Sequence, residues 1–217
     1  MRVGSCRKEL PTCRMANLSR QCAESHLRGG GEAHEGQTFS GAREVLRAMS
    51  QRESKRSSLA SSPEILLRPL QGRDVEQVKA IEMAWPLLSH WDIGVYYGVA
   101  GGRQNAQGLV AIEKESDVKE WVVGFLVYRV TPPDTEILNV AVDPACTRRR
   151  IGTQMLHHLE LRAVREGVQN LFLEVRPSNA PARDFYLKEK FLEVGRRKDY
   201  YSNPTEDAIL MKREIGS

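Results

Sequence analysis

"EILNVAVDPACTRRRIGTQML", residues 136–156, decides the fold. Its first eight residues are apolar on both sides, so they read as a strand buried in the middle of a sheet. A short loop containing Pro144 follows. Residues 148–167 then read as a long helix: Ile151, Met155, Leu159 and Ala163 recur at helical spacing, Leu156 lies beside them, and Gly167 ends the pattern. A strand running through a tight loop into a helix points several backbone N–H groups into one concavity. The helix start adds a positive dipole end, which suits a phosphate or pyrophosphate. Arg148, Arg149 and Arg150 add cationic side chains there. By themselves, three arginines before a helix more often describe a solvated surface.

Working outward, "QNLFLEV" reads as a strand, "NAPARDFYLKEK" as a helix and "DAILMKREI" as a final strand. On the N-terminal side, "EILLRPL" reads as a first strand. "RDVEQVKAIEMAW" reads as a helix, with Asp74 placed to cap it, Gln77 three residues on, and Val75, Val78, Ile81 and Trp85 at helical spacing. "LLSHWDIGVYYGVAGG" reads as a short helix and loop. "GLVAIEK" and "EWVVGFLVYRV" read as two strands joined by the polar turn "ESD". The order is β-α-(α)-β-β-β-α-β-α-β(-β), an α/β domain on a mixed sheet.

The chain has 217 residues, enough for one sizeable domain with a tail. Its net charge of +4 is uneven: residues 1–63 carry 11 Lys/Arg against 6 Asp/Glu, and the remainder 21 against 22. Residues 1–62 contain "RGGGEAHEGQ" and "SQRESKRSSLASS", with too little apolar area to offset their ordering entropy, so they read as a disordered basic tail. A short helix around "GAREVLRAMS" and a translation start at Met49 are alternatives within it. The tail's charge offers a contact to ribosomal RNA, but no aromatic platform accompanies it. Cys6, Cys13 and Cys22 match no common zinc spacing, and Cys146 stands apart; free thiols in a reducing compartment are the plain reading. No run approaches 18 apolar residues and no apolar stretch follows the basic N-terminus, so neither a membrane span nor a secretory signal is expected, and a cytoplasmic location follows by default. His157 and His158 lie mid-helix without Cys or carboxylate at ligand spacing, and no metal is expected.

Four segments in order, "ILNVAVDP", "RRRIGTQML", "LFLEVRPSNAPARDFYLKEKF" and "RRKDYYSNPTEDAILM", resemble the GNAT acetyltransferases. Within that family the chain is similar to the RimI-like subgroup, which acetylates the N-terminal alanine of a small-subunit ribosomal protein. The resemblance spans roughly residues 64–217 and is strong from 137 onward. It implies one GNAT domain over 63–217, with a mixed, mostly antiparallel sheet splayed between central strands and flanked by helices. It implies acetyl-CoA as co-substrate and a protein N-terminus as partner. A GNAT acting on a small amine or an internal lysine remains the alternative within the fold, and a catalytically weak acetyl-CoA-binding module docked on ribosomes the alternative outside it.

The resemblance assigns Val140, Ala141 and Val142 to the acetyl-pantetheine arm, with a backbone N–H near Val142 polarising the thioester carbonyl. It assigns Arg148, Arg149, Arg150, Ile151, Gly152 and Thr153 to the pyrophosphate, and Asn179 to the pantetheine region. Asn179 is also a good helix N-cap. The family's loop reads Q/R-x-x-G-x-G/A. Here Thr147 replaces the leading residue and Arg150 the first glycine, while Gly152 is kept. Arg150 fits such a loop if its φ is negative.

Glu174 and Tyr186, twelve residues apart, match the family's base and acid. Acetyl transfer requires an ammonium to lose a proton and a departing thiolate to gain one, and a carboxylate and a phenol suit these tasks. From the residues alone, Glu174 reads rather as a strand-end carboxylate paired with Arg176 or Lys190, and the other reading of Tyr186 is a core aromatic. Tyr200 and Tyr201 match a peptide-facing hairpin, with Glu206 and Asp207 available to a basic peptide; "YYSNPTED" is otherwise a turn with two packing tyrosines.

Overall fold

A computed structural model describes residues 64–114 and 120–215. The tail, Met49, the N-terminal cysteines and the "ESD" turn lie outside those residues.

Seven strands form one sheet in the order β1-β2-β3-β4-β5-β7-β6. They are β1 (Ile65–Pro69), β2 (Gln107–Lys114), β3 (Glu120–Thr131), β4 (Asp134–Val142), β5 (Asn170–Val175), β6 (Leu192–Ser202) and β7 (Thr205–Glu214). Four helices flank it: α1 (Val75–Met83), α2 (Ile93–Ala100), α3 (Ile151–Arg165) and α4 (Ala180–Lys188). Every pairing is antiparallel except β4 with β5, which α3 connects as a β-α-β crossover. The expected mixed, mostly antiparallel sheet is therefore observed, and the additional strand left in brackets falls before "DAILMKREI", as β6.

Two apolar cores lie on opposite faces. One packs Ile151, Met155, Leu159 and Ala163 of α3, with Tyr186 of α4, on Leu171, Leu173, Val175, Ile209 and Met211. The other packs Val75, Val78 and Ile81 of α1 and Tyr96 of α2 on Val110, Ile112, Phe125 and Val127. Gly124 of β3 lets α3 approach the sheet: a Cβ there would lie 3.2 Å from both the Ala141 oxygen and the Met155 methyl.

The sequence reading of α1 needs two corrections. Asp74 makes no side-chain cap to α1. It closes the preceding turn by accepting from the Gln71 N–H at 2.8 Å and receives both amino groups of Arg68, at 2.7 and 2.9 Å. A bidentate guanidinium is a stronger partner for a buried carboxylate than one amide. Trp85 falls outside the helix, which ends at Met83, and is part-exposed.

The feature that builds the site is in β4. Tyr128 pairs with Ile137 and Val127 with Asn139, so Leu138 is one extra residue in β4. A bulge of this kind bends its strand. The parallel pairing of β4 with β5 ends at the same point, Ile137 with Leu173. Beyond it β4 stays with β3 and β5 stays with β7, so the two central strands splay.

Candidate active site

The splay opens a cavity of about 740 Å³, within the range of small-molecule sites. It is lined by Ile137–Val142 on one side and Leu173–Arg176 on the other, and it extends over the loop into α3 and along α4. Glu174, Asn179, Tyr186 and Tyr201 all line it, as do Val140, Ala141, Val142, Arg148, Arg150, Ile151, Gly152 and Thr153.

The strand geometry makes this cavity a passage through the sheet. Leu173 and Val175 belong to the core under α3 and α4. Successive strand residues point to opposite faces, so Glu174 projects to the other face. Tyr186 is in the α3/α4 core. The splay is what lets the two groups share one cavity from opposite sides of the sheet.

Glu174 is partly buried at the end of β5. Its Oε2 accepts from the Tyr200 hydroxyl at 2.8 Å. Arg197 Nε lies 3.0 Å from Oε1, but without hydrogen-bond alignment, and Oε1 has no hydrogen-bond partner. These partners replace the Arg176 and Lys190 suggested by sequence proximity. Burial pushes the Glu174 carboxyl above the ordinary carboxylate range, against the opposing pull of Tyr200 and Arg197. Tyr186 is buried against Phe185 and Phe191, and burial raises its phenol above the ordinary value. Its proton is held throughout the neutral range.

The cofactor end rests on loop geometry. Asp143 accepts from the Ala145 N–H at 2.9 Å and starts a 3₁₀ turn over Pro144–Cys146. No side chain caps the start of α3, which leaves its first N–H groups directed at the cavity rim. Contrary to the sequence condition, Arg150 has a positive φ of 58°, and Arg148 has 62°. A side chain in this region costs roughly 1–2 kcal/mol. Arg149 is directed elsewhere: its guanidinium pairs with Glu113 on β2 at 2.7 Å, and it does not line the cavity. Thr153 donates to Glu189 at 2.5 Å. At Gly152 a Cβ would meet the Phe185 ring at 3.0 Å, so the retained glycine brings α3 and α4 together at the rim.

The left-handed Arg150 gives a stability prediction. Arg150→Gly relieves the strain and gives back about 0.4–1 kcal/mol through unfolded-state entropy, a net gain of about 1 kcal/mol. Arg150→Ala retains the Cβ and gains nothing. Denaturant midpoints of the two variants against the parent chain read the difference.

Asn179 caps α4, accepting from the Ala182 N–H at 3.3 Å, and also lines the cavity. Just after β4, Asp143 N donates toward β3, to the Val123 oxygen at 2.9 Å. By alternation Val142 and Val140 present their backbone groups to the edge that β5 has left. The Val142 carbonyl is occupied there by the Trp85 indole at 2.8 Å. Sequence reasoning missed this use of Trp85, which it assigned to the helix core. The connection carrying Trp85 is pinned to β4: buried Glu82 accepts from Tyr96 at 2.7 Å and from the Trp91 N–H at 2.8 Å, and Asn139 donates to Tyr96 at 3.0 Å and to the Ser89 carbonyl at 3.2 Å.

The hairpin of β6 and β7 is docked by Arg176, which is 7% exposed. Its guanidinium donates to the carbonyls of Asn203 and Pro204 and to Glu206, and stacks 4.0 Å over the Tyr201 ring. Glu206 also accepts from the Ser178 backbone and hydroxyl, and Asp207 from the Asp199 N–H. Both acids expected to face a basic peptide are thus engaged within the chain. Tyr201 lines the cavity and Tyr200 turns to Glu174. His157 is exposed near Glu160. Among the described residues no group of three or more His, Cys, Asp or Glu could hold a metal ion, and no helix is long and apolar enough to cross a membrane.

Comparison with known proteins agrees with this geometry. The model of the acetyltransferase (GNAT) family matches residues 74–191, more than half of the chain. A [ribosomal protein bS18]-alanine N-acetyltransferase of Salmonella typhimurium is 33% identical over 127 residues, 58% of this chain and 81% of that protein. The crystal structure of the ribosomal-protein-S18-alanine N-acetyltransferase from Escherichia coli superposes with a TM-score of 0.60 at 26% identity, covering 71% of this chain and 96% of that one. Arabidopsis thaliana NAA60 in complex with acetyl-CoA shares the fold, with a TM-score of 0.63 at 17% identity, covering 71% of this chain and all of that one. With the splayed sheet and the family match in agreement, the chain belongs to the GNAT family of acetyltransferases.

Proposed function

We propose that this enzyme transfers an acetyl group from acetyl-CoA to the N-terminal α-amine of a protein, with alanine first and a small-subunit ribosomal protein as the natural acceptor. The observation that carries the chemistry is the passage through the sheet, with Glu174 entering from one face and Tyr186 from the other. The acceptor class is supported by the relatives named for alanine N-acetylation of a ribosomal protein.

Acetyl-CoA is the family's acetyl donor, and the residues present fit it. The edge of β4 that β5 leaves, at Val140 and the Val142 N–H, suits an amide-bearing arm, with the Val142 carbonyl already held by Trp85, and Ala141 packs that strand from behind. The uncapped start of α3 at Ile151, Gly152 and Thr153 suits a pyrophosphate, with the side chains of Arg148 and Arg150 beside it and Arg149 contributing only backbone. The side-chain amide of Asn179 can donate to the arm while its oxygen caps α4. When bound, acetyl-CoA supplies an electrophilic thioester carbonyl. Glu174 takes the proton from the acceptor nitrogen as the new N–C bond forms. Tyr186 supplies a proton to the sulfur as the C–S bond breaks. An α-ammonium has an ordinary pKa of about 7.7–8.0, so a carboxylate with a raised pKa is a sufficient base. Tyr201, at the acceptor mouth, grips the peptide. Attack is direct, in a ternary complex.

Purified chain assayed with acetyl-CoA and three acceptors tests the reading: a peptide beginning with alanine, a peptide whose only amine is a lysine side chain, and spermidine. The alanine peptide should have the highest kcat/KM. Preference for either of the others would overturn it. In the cofactor loop, Arg150→Gly and Arg150→Ala should both weaken acetyl-CoA binding roughly tenfold through loss of a charge-assisted contact. Calorimetric titration measures this, and unchanged affinity would remove the guanidinium from the site.

A further inference from the structure

Tyr201 lines the cavity, whereas Tyr200 turns to Glu174. Tyr200 lies on β6, separated from β5 by β7 in the sheet, yet its hydroxyl reaches Glu174. An irregularity in β6 delivers it there. Arg197 pairs with Ala208 and Tyr201 with Glu206, so residues 198–200 form a bulge against a single residue of β7. Within it Asp199 has a φ of 50°, and its N–H is fixed by the Asp207 carboxylate at 3.0 Å. Bulges of this kind re-aim side chains beside active sites. The Tyr200 ring is braced edge-on by Tyr201 at 5.0 Å, and Tyr201 lies under Arg176. A bulge, a positive-φ aspartate and two stacked groups converge on one hydroxyl 2.8 Å from the base.

We propose that Tyr200 is a positioning residue for Glu174: its hydroxyl fixes Oε2 and thereby holds the carboxylate in the orientation in which it receives the acceptor's proton. This rests on the acetyl-transfer reading above. Oε1 is buried without a hydrogen bond, so the orientation of the group rests on the bond at Oε2. Arg197, which lies near Oε1, is a misaligned and partly exposed partner, and holds the carboxylate less firmly than Tyr200 does. The charged and titratable groups acting on Glu174 are Tyr200 and Arg197 of β6, Glu136 of β4 and Arg129 of β3, with Tyr201 behind Tyr200. Arg129 and Glu136 pair with each other.

The test is the pH dependence of kcat for the full chain, in Tyr200→Phe and the parent. The acceptor amine contributes equally to both, so the difference reports on Glu174. Tyr200→Phe keeps the ring and its stack. It should lower kcat about tenfold and move the acid limb up by about one unit, because a bond to the ionised carboxylate is lost. In a Glu174→Gln background the same change should cost nothing further, since Tyr200 acts through Glu174. An unmoved acid limb with a raised KM for the peptide would overturn the proposal in favour of peptide gripping, as would additive losses in the double variant. Should Tyr200→Phe fold poorly, 3-fluorotyrosine at position 200 replaces it: a more acidic phenol donates more strongly and should move the limb down, and no movement overturns the proposal. Turnover by the parent chain reports separately on the acetyl-transfer reading.

Discussion

Glu174→Gln should lower kcat by about two to four orders of magnitude, the range for loss of a general base, while acetyl-CoA binding stays near the parent value. In the proposed reading the carboxylate belongs to the acceptor face of the passage, away from the loop and helix start that suit the pyrophosphate. The amide is close to isosteric and still accepts from Tyr200, so the hairpin docking should survive. Protonation is what it loses. In the parent chain, burial raises the Glu174 pKa while Tyr200 and Arg197 oppose the rise. The base is active only when ionised, so activity should fall as pH drops through that raised value. The variant should lose this limb and keep only the dependence set by the acceptor ammonium. Initial rates across pH, with the acceptor amine's own titration known, check both parts. Near-parental turnover would remove Glu174 from the mechanism.

Tyr186→Phe should lower kcat by about a hundredfold and leave acetyl-CoA binding and the fold intact. The ring packs between Phe185 and Phe191, and phenylalanine preserves that packing. Burial keeps the phenol protonated far above neutral pH, as required of a donor to a departing thiolate, and only the hydroxyl is lost. The deficit should shrink when the leaving thiol is more acidic, because a better leaving group needs less help. Comparing acetyl-CoA with an activated acetyl thioester measures that. An equal deficit with both would assign Tyr186 to packing alone.

The periodic elements were legible in the sequence: the apolar run of β4, the stripe of α3, and the strand-cap-helix sequence from β5 through Asn179 into α4. Their order pointed to the sheet, and the motif resemblance to the family. What stayed hidden is what makes the cavity. Leu138 is one residue too many in an apolar strand, and nothing in "EILNVAV" distinguishes a bulge from regular pleating. The edge strand β6 is largely exposed and carries "GRRKDYY", so no alternation marks it. Arg197 and Tyr200 reach Glu174 from 23 and 26 residues away, beyond any local pairing rule, so the sequence offered Arg176 and Lys190 instead. Arg150 looked compatible with a negative φ because the cost of a left-handed side chain leaves no trace in composition. Trp85 continued a helical spacing two residues past the point where the helix stops.

The most direct test is to locate the transferred acetyl group. A peptide beginning with alanine and carrying an internal lysine is incubated with the purified chain and isotope-labelled acetyl-CoA, then fragmented in a mass spectrometer. The label should lie on the α-nitrogen of the alanine, disappear when that nitrogen is blocked beforehand, and fall to trace levels with Glu174→Gln. Label on the lysine side chain, or no label from a chain that still binds acetyl-CoA, would contradict N-terminal acetyl transfer.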